Sequence, residues 1–213
     1  MKLTKLLERL DYKVVAGSDN IEITELVNDS RKVVPGSVFV CISGAVSDGH
    51  QYVKDVAEKG AAAVIVEKDV EVPEGLTVIK VENTRYALAL MSAAYFGYPA
   101  EKLKTIGITG TKGKTTTTYM VKAILEEVGH KVGLIGTIEA ITGDKTIPSN
   151  NTTPESYTIQ KYFAQMVEAG CDCVVMEVSS QGLMLHRTAG IMFDIGIFTN
   201  LGEDHIGPNE HKD

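Results

Sequence analysis

The sequence predicts an α/β protein made of a small N-terminal domain and a second domain whose sheet is mostly parallel. Apolar runs of strand length alternate along the chain with amphipathic stretches of helical length, which is the pattern of α/β folds. The stretch "GYPAEKL" separates two such series and is the best linker candidate. We therefore place one domain at 1–98 and the other at 99–213.

The N-terminal series begins with a short amphipathic helix over 3–11, where four leucines recur at helical spacing. The stretch "GSVFVCIS" predicts a buried strand. The stretch "GHQYVKDVAEKGAAAVIVEKD" predicts a helix, a turn at Gly60 and a strand over 62–66. "LTVIKVEN" then predicts a strand, and "NTRYALALMSAAYFG" predicts a helix that ends at Gly97.

The second series contains four predicted strands, "LKTIGITG", "HKVGLIGT", "CDCVVMEVSS" and "FDIGIFTNLG". Between them lie the predicted helices "KTTTTYMVKAILEEVG" and "TPESYTIQKYFAQMVEAG", the second with Pro154 in its first turn. Because these strands are apolar throughout, we expect a parallel sheet covered on both faces. No helical pattern follows the last strand before "EHKD", so we expect an incomplete domain and a fragment of a longer protein.

Composition excludes several classes of function. The 213 residues carry a net charge of -7 without a basic stripe, so no nucleic-acid partner is predicted. No apolar run approaches the roughly 20 residues of a membrane span, so no membrane insertion is predicted. Three cysteines without a secretory leader indicate reduced thiols in a cytoplasmic protein. The Cys171-x-Cys173 pair is too sparse for a metal site and predicts buried strand thiols.

The strongest chemical signal is "TGTKGKTTTT", which lies between a predicted strand and a predicted helix. Phosphate binding needs tight turns, inward-facing N–H groups, a helix N-terminus and a lysine. Gly110 and Gly113 supply turns, Lys114 can reach the β- and γ-phosphates, and Thr115 can bind Mg²⁺. Ile108 stands where the common loop pattern has its first glycine. An ordinary glycine-rich turn is the alternative, but Gly-Lys-Thr-Thr at this junction favours ATP with Mg²⁺.

Polar residues follow the later predicted strands. Glu177 ends the apolar run "CVVMEV", at the sheet edge where ligands of α/β proteins bind, and its carboxylate suits Mg²⁺. The alternative for Glu177 is a surface carboxylate. Arg187 can pair with a carboxylate or phosphate through its planar guanidinium. His205 and Asp204 follow the last strand; a loop histidine is more often a surface residue, and Asp204 is the more natural Mg²⁺ ligand by hardness.

The shortened loop G-x-x-G-K-[ST] resembles that of the Mur ligase family and of its folate-polyglutamylating relatives. "NDSRKVVPGSVFVCISGAVSDGH" resembles the family's uridine-diphosphate-binding stretch. "NNTTP", "MEVSSQGLMLHR" and "FTNLGEDH" resemble its central-domain motifs, in the family's order, so the resemblance covers essentially the whole chain.

The resemblance implies a ligase of peptidoglycan synthesis that adds an amino acid to the D-glutamate carboxylate of UDP-N-acetylmuramoyl-L-alanyl-D-glutamate. ATP would phosphorylate that carboxylate, and the incoming amine would displace phosphate. The cofactors implied are ATP and Mg²⁺. We expect a cytoplasmic monomer.

The resemblance also implies roles for individual residues. The catalytic residues are Lys114, Glu177 and His205, and the metal ligands are Thr115, Glu177 and His205. The ATP-binding residues are Gly110, Thr111, Lys112, Gly113, Lys114, Thr115 and Thr116. Uridine diphosphate is bound by Ser30, Arg31, Ala45, Val46 and Ser47. The muramoyl-dipeptide is bound by Asn151, Thr152, Thr153, Ser179 and Arg187.

Two positions depart from the family's pattern. Leu185 stands where some members carry a substrate-binding glutamine, and "IGPNEH" follows His205 in place of the more familiar sequence. The family's carbamylated lysine and its C-terminal domain, which selects the amino acid, would lie beyond residue 213. We therefore expect no ligase turnover from this chain alone, and the sequence leaves the added amino acid open.

Three alternatives remain. The chain could belong to another Mur-type ligase with a different acceptor, or to a folate relative. The segment "DSRKVVPGSVFV" argues against the folate enzymes, which lack that domain. A third alternative is a non-catalytic module that switches partners on ATP binding, and such a module should ignore the muramoyl-dipeptide.

Overall fold

The structure is a computed structural model that describes residues 1–44 and 47–204. The chain divides into two compact units, Met1–Tyr95 and Phe96–Asp213, each with its own β-sheet. The division falls three residues before the boundary that the sequence places after residue 98. Among the described residues no helix is both long enough and apolar enough to cross a membrane.

The first unit contains a five-stranded sheet with the strand order β1-β5-β4-β3-β2. Its strands are β1 Lys13–Ala16, β2 Leu26–Val27, β3 Val38–Val40, β4 Ala63–Val66 and β5 Thr77–Lys80. Its α-helices are α1 Leu3–Leu6, α2 Val53–Glu58 and α3 Thr84–Tyr95. The neighbouring strands are parallel except β1 and β5.

Three features of the first unit differ from the sequence predictions. The first helix is a four-residue α1 rather than a helix over 3–11, because its last turns are irregular. Strand β1 was not predicted, since it is largely exposed and lacks an alternating pattern. Strand β2 has two residues, which is too short for any periodicity to be visible.

The second unit contains a six-stranded sheet with the strand order β11-β6-β10-β7-β8-β9. Its strands are β6 Lys104–Thr109, β7 Val132–Ile135, β8 Glu139–Thr142, β9 Lys145–Pro148, β10 Cys173–Glu177 and β11 Ile195–Phe198. Its α-helices are α4 Lys114–Glu127, α5 Ser156–Glu168 and α6 Ser180–Met184. Strands β11, β6, β10 and β7 are parallel, whereas β8 and β9 form an antiparallel hairpin.

The fold class predicted from the sequence is confirmed. All residues of β10 are buried, as its apolar run indicates, and Cys171 and Cys173 are buried thiols. The expectation that every strand is covered on both faces is wrong for β11, where the Phe198 side chain is 63% exposed. Helix α5 begins after Pro154, with Glu155 as its N-cap, so the proline precedes the first turn rather than lying within it.

Candidate active site

The parallel pairing of β6 and β10 builds the site at one edge of the second sheet. Glu177, the last residue of β10, lies beside Ile108 near the end of β6. The chain leaves β6 into the glycine-rich loop and enters α4 at Lys114. Because parallel strands end at the same sheet edge, the loop and the carboxylate are brought together from distant parts of the chain.

The glycine-rich loop has the geometry that its glycines predict. Gly110 has φ +129° and Gly113 has φ +83°, backbone conformations that L side chains rarely adopt. Gly113 is the N-cap of α4. The Lys114 ammonium folds over the loop and donates to the carbonyls of Gly110 at 2.7 Å and Thr111 at 3.2 Å.

The segment that follows β11 is hydrogen-bonded to the loop. The Asn200 side chain pairs with Lys112 twice, accepting from its N–H at 3.0 Å and donating to its carbonyl at 3.0 Å. The Asn200 carbonyl accepts from the N–H of Thr111 at 3.0 Å. The Lys112 ammonium lies 2.9 Å from the carboxylate of Asp204. These contacts hold Thr111 and Lys112 against the segment that follows β11.

Glu177 is 1% exposed, and its carboxylate accepts three hydrogen bonds. The Thr115 hydroxyl donates to Oε2 at 3.0 Å, and the Thr137 hydroxyl donates to the same oxygen at 3.1 Å. The Thr137 N–H donates to Oε1 at 2.8 Å. Three donors therefore compensate the burial of this carboxylate, as a buried charge requires.

The pair Thr115 and Glu177 fits Mg²⁺. Magnesium takes octahedral oxygen ligands at roughly 2.0–2.1 Å, so two adjacent ligands lie about 2.9 Å apart. The two side-chain oxygens lie 3.0 Å apart. A hydroxyl and a carboxylate are also the oxygen donors that this hard cation prefers. The third predicted ligand, His205, lies outside the described residues.

The phenol of Tyr119 lies near the carboxylates of Glu139 and Glu177. The Tyr119 hydroxyl on α4 donates to Glu139 Oε1 at 2.8 Å. Burial, with this hydrogen bond and the negative charges of Glu139 and Glu177, raises the pKa of Tyr119 to about 12. Tyr119 therefore remains a hydrogen-bond donor at neutral pH and adds no negative charge beside the candidate Mg²⁺ ligands.

The residues predicted to bind the muramoyl-dipeptide fall into two groups. Thr153 is 1% exposed, and its hydroxyl donates to the Glu177 carbonyl at 3.0 Å while accepting from the Ser179 N–H at 2.9 Å. Both hydrogen bonds of this hydroxyl are therefore made within the protein, and the ligand-binding role of Thr153 stays a prediction. Thr152 is partly exposed and Asn151 is exposed, so both side chains are accessible.

Ser179 and Arg187 occupy intermediate positions. The Ser179 hydroxyl accepts from the N–H of Gly182 at 3.0 Å and caps α6, which leaves its own proton available. The Arg187 guanidinium donates to the Thr153 carbonyl at 3.0 Å and pairs with Glu155 at 2.7 Å. Its Nε is buried with no hydrogen-bond partner among the described residues.

The first unit carries a cavity of about 490 Å³. Its lining consists of Asn28, Asp29, Ser30, Arg31, Phe39, Ile42, Ser47, Gly49 and Tyr52. Three of the predicted uridine-diphosphate residues, Ser30, Arg31 and Ser47, are therefore together, and Ala45 and Val46 lie outside the described residues. Hydrogen bonds from Arg31 lower the pKa of Asp29 to about 2, so its carboxylate stays ionised and engages the guanidinium.

Sequence reasoning missed Thr137, Asn200 and Tyr52 as contributors to these sites. Thr137 and Asn200 each follow a parallel strand, so polarity just past a strand end is a signal that could have found them. Tyr52 pairs with Ser47 across 3.0 Å, a contact that no sequence pattern indicates.

The fold and the loop define an α/β protein in which a lysine-bearing, glycine-rich turn joins a parallel strand to a helix. Comparison with known families gives two matches. The description "Mur ligase family, catalytic domain" matches residues 22–96, and "Mur ligase middle domain" matches residues 108–213. The chain belongs to the Mur ligase family.

Curated relatives match nearly the whole chain. The UDP-N-acetylmuramoyl-L-alanyl-D-glutamate--2,6-diaminopimelate ligase of Clostridium perfringens is 50% identical over 206 residues, covering 97% of this chain and 43% of that protein. The protein of the same description in Clostridioides difficile is 48% identical over 213 residues, covering 100% of this chain and 43% of its own length. The chain thus spans less than half the length of these relatives.

Solved structures show the same fold at lower identity. A structure described as UDP-N-acetylmuramoyl-L-alanyl-D-glutamate--2,6-diaminopimelate ligase superposes with a TM-score of 0.77 at 22% identity, covering 98% of this chain and 42% of that one. The MurF ligase of Thermotoga maritima, solved in complex with ADP, gives a TM-score of 0.57 at 24% identity, covering 85% of this chain and 38% of that one.

Proposed function

We propose that this chain is part of an ATP-dependent ligase that adds 2,6-diaminopimelate to UDP-N-acetylmuramoyl-L-alanyl-D-glutamate in peptidoglycan synthesis. The relatives of this description, 50% and 48% identical over nearly the whole chain, support the substrate and the amino acid. Within the structure, the observation that carries the proposal is the Thr115–Glu177 oxygen pair beside Lys114 and the loop. This role corresponds to a cytoplasmic enzyme that contributes to cell shape and division through the cell wall.

The proposed reaction forms an acyl phosphate on the D-glutamate carboxylate, which the amine then converts to an amide with release of phosphate. A carboxylate accepts a phosphoryl group poorly, so positive charge must neutralise the transferring group. Lys114 would leave the carbonyls of Gly110 and Thr111 and meet the γ-phosphate. The N-terminus of α4 would hold the other phosphates through its free N–H groups and its dipole.

Thr115 and Glu177 are the proposed ligands of the magnesium that accompanies ATP. When bound, Mg²⁺ neutralises the charge that develops between the β- and γ-phosphates. Glu177 is already oriented by three hydrogen bonds, so binding would need little side-chain reorganisation. His205 and the loop residues Thr111, Lys112 and Thr116 complete the proposed set from the family resemblance.

The acceptor, the UDP-linked dipeptide, would have one set of binding residues in each unit. In the first unit, Ser30, Arg31 and Ser47 line the cavity proposed for uridine diphosphate. In the second unit, the hydroxyl of Thr152 and the guanidinium of Arg187, which also pairs with Glu155, are the polar groups proposed for the muramoyl-dipeptide. Arg187 would exchange or share its pair with Glu155 when an anionic ligand binds.

The test uses the full-length protein encoded by the gene, with ATP, Mg²⁺ and UDP-N-acetylmuramoyl-L-alanyl-D-glutamate. We expect phosphate release that depends on diaminopimelate and a product that carries one added diaminopimelate by mass. Lysine in place of diaminopimelate is the control for the amino acid. Absence of phosphate release with diaminopimelate would contradict the proposal, whether or not lysine supports release.

A calorimetric titration distinguishes a ligase from a non-catalytic ATP-binding module. The chain is titrated with the UDP-linked dipeptide in a calorimeter, and a ligase fragment is expected to bind it through the first unit. A module that only switches on ATP would give no heat with this ligand. Phosphate release by the 213-residue chain at an enzyme's ordinary rate, roughly 1–10³ s⁻¹, would contradict its being a part of the catalyst.

A further inference from the structure

Thr137, the second residue after β7, contacts both oxygens of Glu177 and one further hydroxyl. Its N–H donates to Glu177 Oε1 at 2.8 Å and its hydroxyl donates to Oε2 at 3.1 Å. The same hydroxyl lies 3.0 Å from the hydroxyl of Thr152. Thr137 therefore links the candidate metal ligand to a residue on the accessible side of the site.

The direction of this hydrogen-bond chain follows from the chemistry of its ends. A carboxylate only accepts hydrogen bonds, and a threonine hydroxyl has a single proton. Because the Thr137 proton is given to Glu177, the Thr137 oxygen can only accept from Thr152. The Thr152 proton is therefore directed inward, and its oxygen lone pairs are left to face a ligand.

We propose that Thr137 is a positioning residue that fixes the Glu177 carboxylate for Mg²⁺ and fixes Thr152 as a hydrogen-bond acceptor toward the substrate. The inference rests on the metal and nucleotide site proposed above. When Mg²⁺ binds, Thr115, the other side-chain donor to Oε2, must turn its hydroxyl proton away from Oε2 so that a lone pair of its oxygen faces the metal. The two bonds from Thr137 would then be the contacts that keep the buried carboxylate in place.

The fixed direction has a consequence for the ligand group that meets Thr152. With its proton directed to Thr137, Thr152 can receive an N–H or O–H group but has no proton for a carboxylate. An amide N–H of a peptidyl substrate, or a hydroxyl, therefore fits this position. Other groups must bind the carboxylates of the ligand. The guanidinium of Arg187 is the group with the suitable chemistry, because it can donate two hydrogen bonds to a carboxylate.

The experiment measures how strongly Mg²⁺ enhances binding of a β,γ-imido analogue of ATP to the 213-residue chain, by calorimetry with Mg²⁺ and with a chelator. Thr137→Val keeps the shape and the N–H donor but removes the hydroxyl. We expect it to reduce the Mg²⁺ enhancement roughly tenfold, the loss of one hydrogen bond to a charged group. Thr137→Ser restores the hydroxyl and is expected to stay within about threefold of the unaltered chain.

One further variant acts as a control. Thr146→Val, at an exposed position of β9, should leave the enhancement unchanged. If Thr137→Val alters binding equally with and without Mg²⁺, Thr137→Ala is measured in its place, because the smaller side chain cannot clash.

The outcomes separate the inference from the function on which it rests. An unaltered chain that binds the analogue with no Mg²⁺ enhancement would overturn both. Normal Mg²⁺ enhancement in the unaltered chain that Thr137→Val and Thr137→Ala both retain would overturn the inference alone. Loss of the Mg²⁺ enhancement in Thr137→Val and Thr137→Ala, together with its recovery in Thr137→Ser, supports the inference.

Discussion

The Thr115 hydroxyl, in the first turn of α4, lies 3.0 Å from Oε2 of Glu177, at the end of β10, although 62 residues separate them. Parallel pairing of β6 with β10 creates this proximity, because the loop and the carboxylate both follow strands that end at one sheet edge. The separation matches two adjacent ligands of one magnesium ion, about 2.9 Å apart. The pair is therefore the structural basis of the proposed ATP site.

Lys114→Ala is expected to weaken binding of the ATP analogue while leaving the cavity of the first unit intact. The ammonium supplies charge that the γ-phosphate needs, and its loss in the full-length enzyme should lower turnover by roughly 10²–10³-fold or more. Calorimetry on the chain measures the binding of the ATP analogue, and calorimetry with UDP measures whether the cavity of the first unit is intact. Lys122→Ala, two turns further along α4 and paired with Glu126, is the matched control. Turnover near the unaltered rate would show that the loop is only a structural turn.

Asn200→Ala is expected to loosen the first half of the loop, because both side-chain bonds to Lys112 are lost. Each net hydrogen bond contributes about 0.5–1.5 kcal/mol, so losing both should lower the affinity for the analogue roughly 5- to 150-fold. Asn200→Asp keeps the acceptor but turns a second oxygen toward the Lys112 carbonyl, and should bind weakly as well. Asn20→Ala, at an exposed position in the first unit, is the control. Unchanged or tighter binding by Asn200→Ala would contradict this role.

Ile108→Gly restores the first glycine of the longer loop pattern, yet it should gain no affinity for nucleotide. Ile108 is a fully buried residue of β6, so the change leaves a cavity in the sheet core. We expect a loss of roughly 2–5 kcal/mol in the free energy of unfolding, measured with urea. Ile124→Ala, at a position of α4 that is 62% exposed, should change it by less than about 0.5 kcal/mol. Tighter nucleotide binding by Ile108→Gly would contradict the strand assignment.

Asp194, just before β11, should make the stability of the second unit depend on acid pH. Hydrogen bonds from the Thr105 N–H at 2.8 Å and from Lys104 hold the pKa of Asp194 below its ordinary value. A depressed pKa stabilises the fold above the unfolded-state value of about 3.9, and this contribution is lost as pH falls through the lower folded-state value.

The measurement compares the free energies of unfolding of the unaltered chain and Asp194→Asn from pH 6 downward. The difference should be constant above about pH 5 and shrink as the pH falls below about 3.9. A difference that stayed the same over the whole range would show that the charge of Asp194 contributes nothing.

Much of the fold could be predicted from strong local patterns in the sequence. The loop, its helix and the buried strand that ends at Glu177 were all predicted, because glycine placement and unbroken apolar runs leave few alternatives. The hairpin of β8 and β9 was missed, since its residues alternate weakly and several are exposed. Coverage of β11 was wrongly predicted, because an apolar run reports a preference for burial and not the presence of a neighbour.

The site was predictable at the level of residue types and less so at the level of contacts. Ser and Thr near a strand end can face a ligand or bond inward, and sequence does not distinguish the two. Thr153 bonds inward to Glu177 and Ser179, whereas Thr137, which no motif indicated, reaches the carboxylate. Such choices depend on register between strands, which is fixed only by the packed sheet.

The central claim is that Glu177 and Thr115 hold the magnesium of bound ATP, and affinity for the β,γ-imido analogue with and without Mg²⁺ tests it most directly. Glu177→Gln keeps the size of the side chain but replaces one acceptor oxygen and the charge. The unaltered chain should bind the analogue more tightly with Mg²⁺, and Glu177→Gln should bind it equally with and without the metal. A Glu177→Gln chain that retains the full Mg²⁺ enhancement would contradict the account.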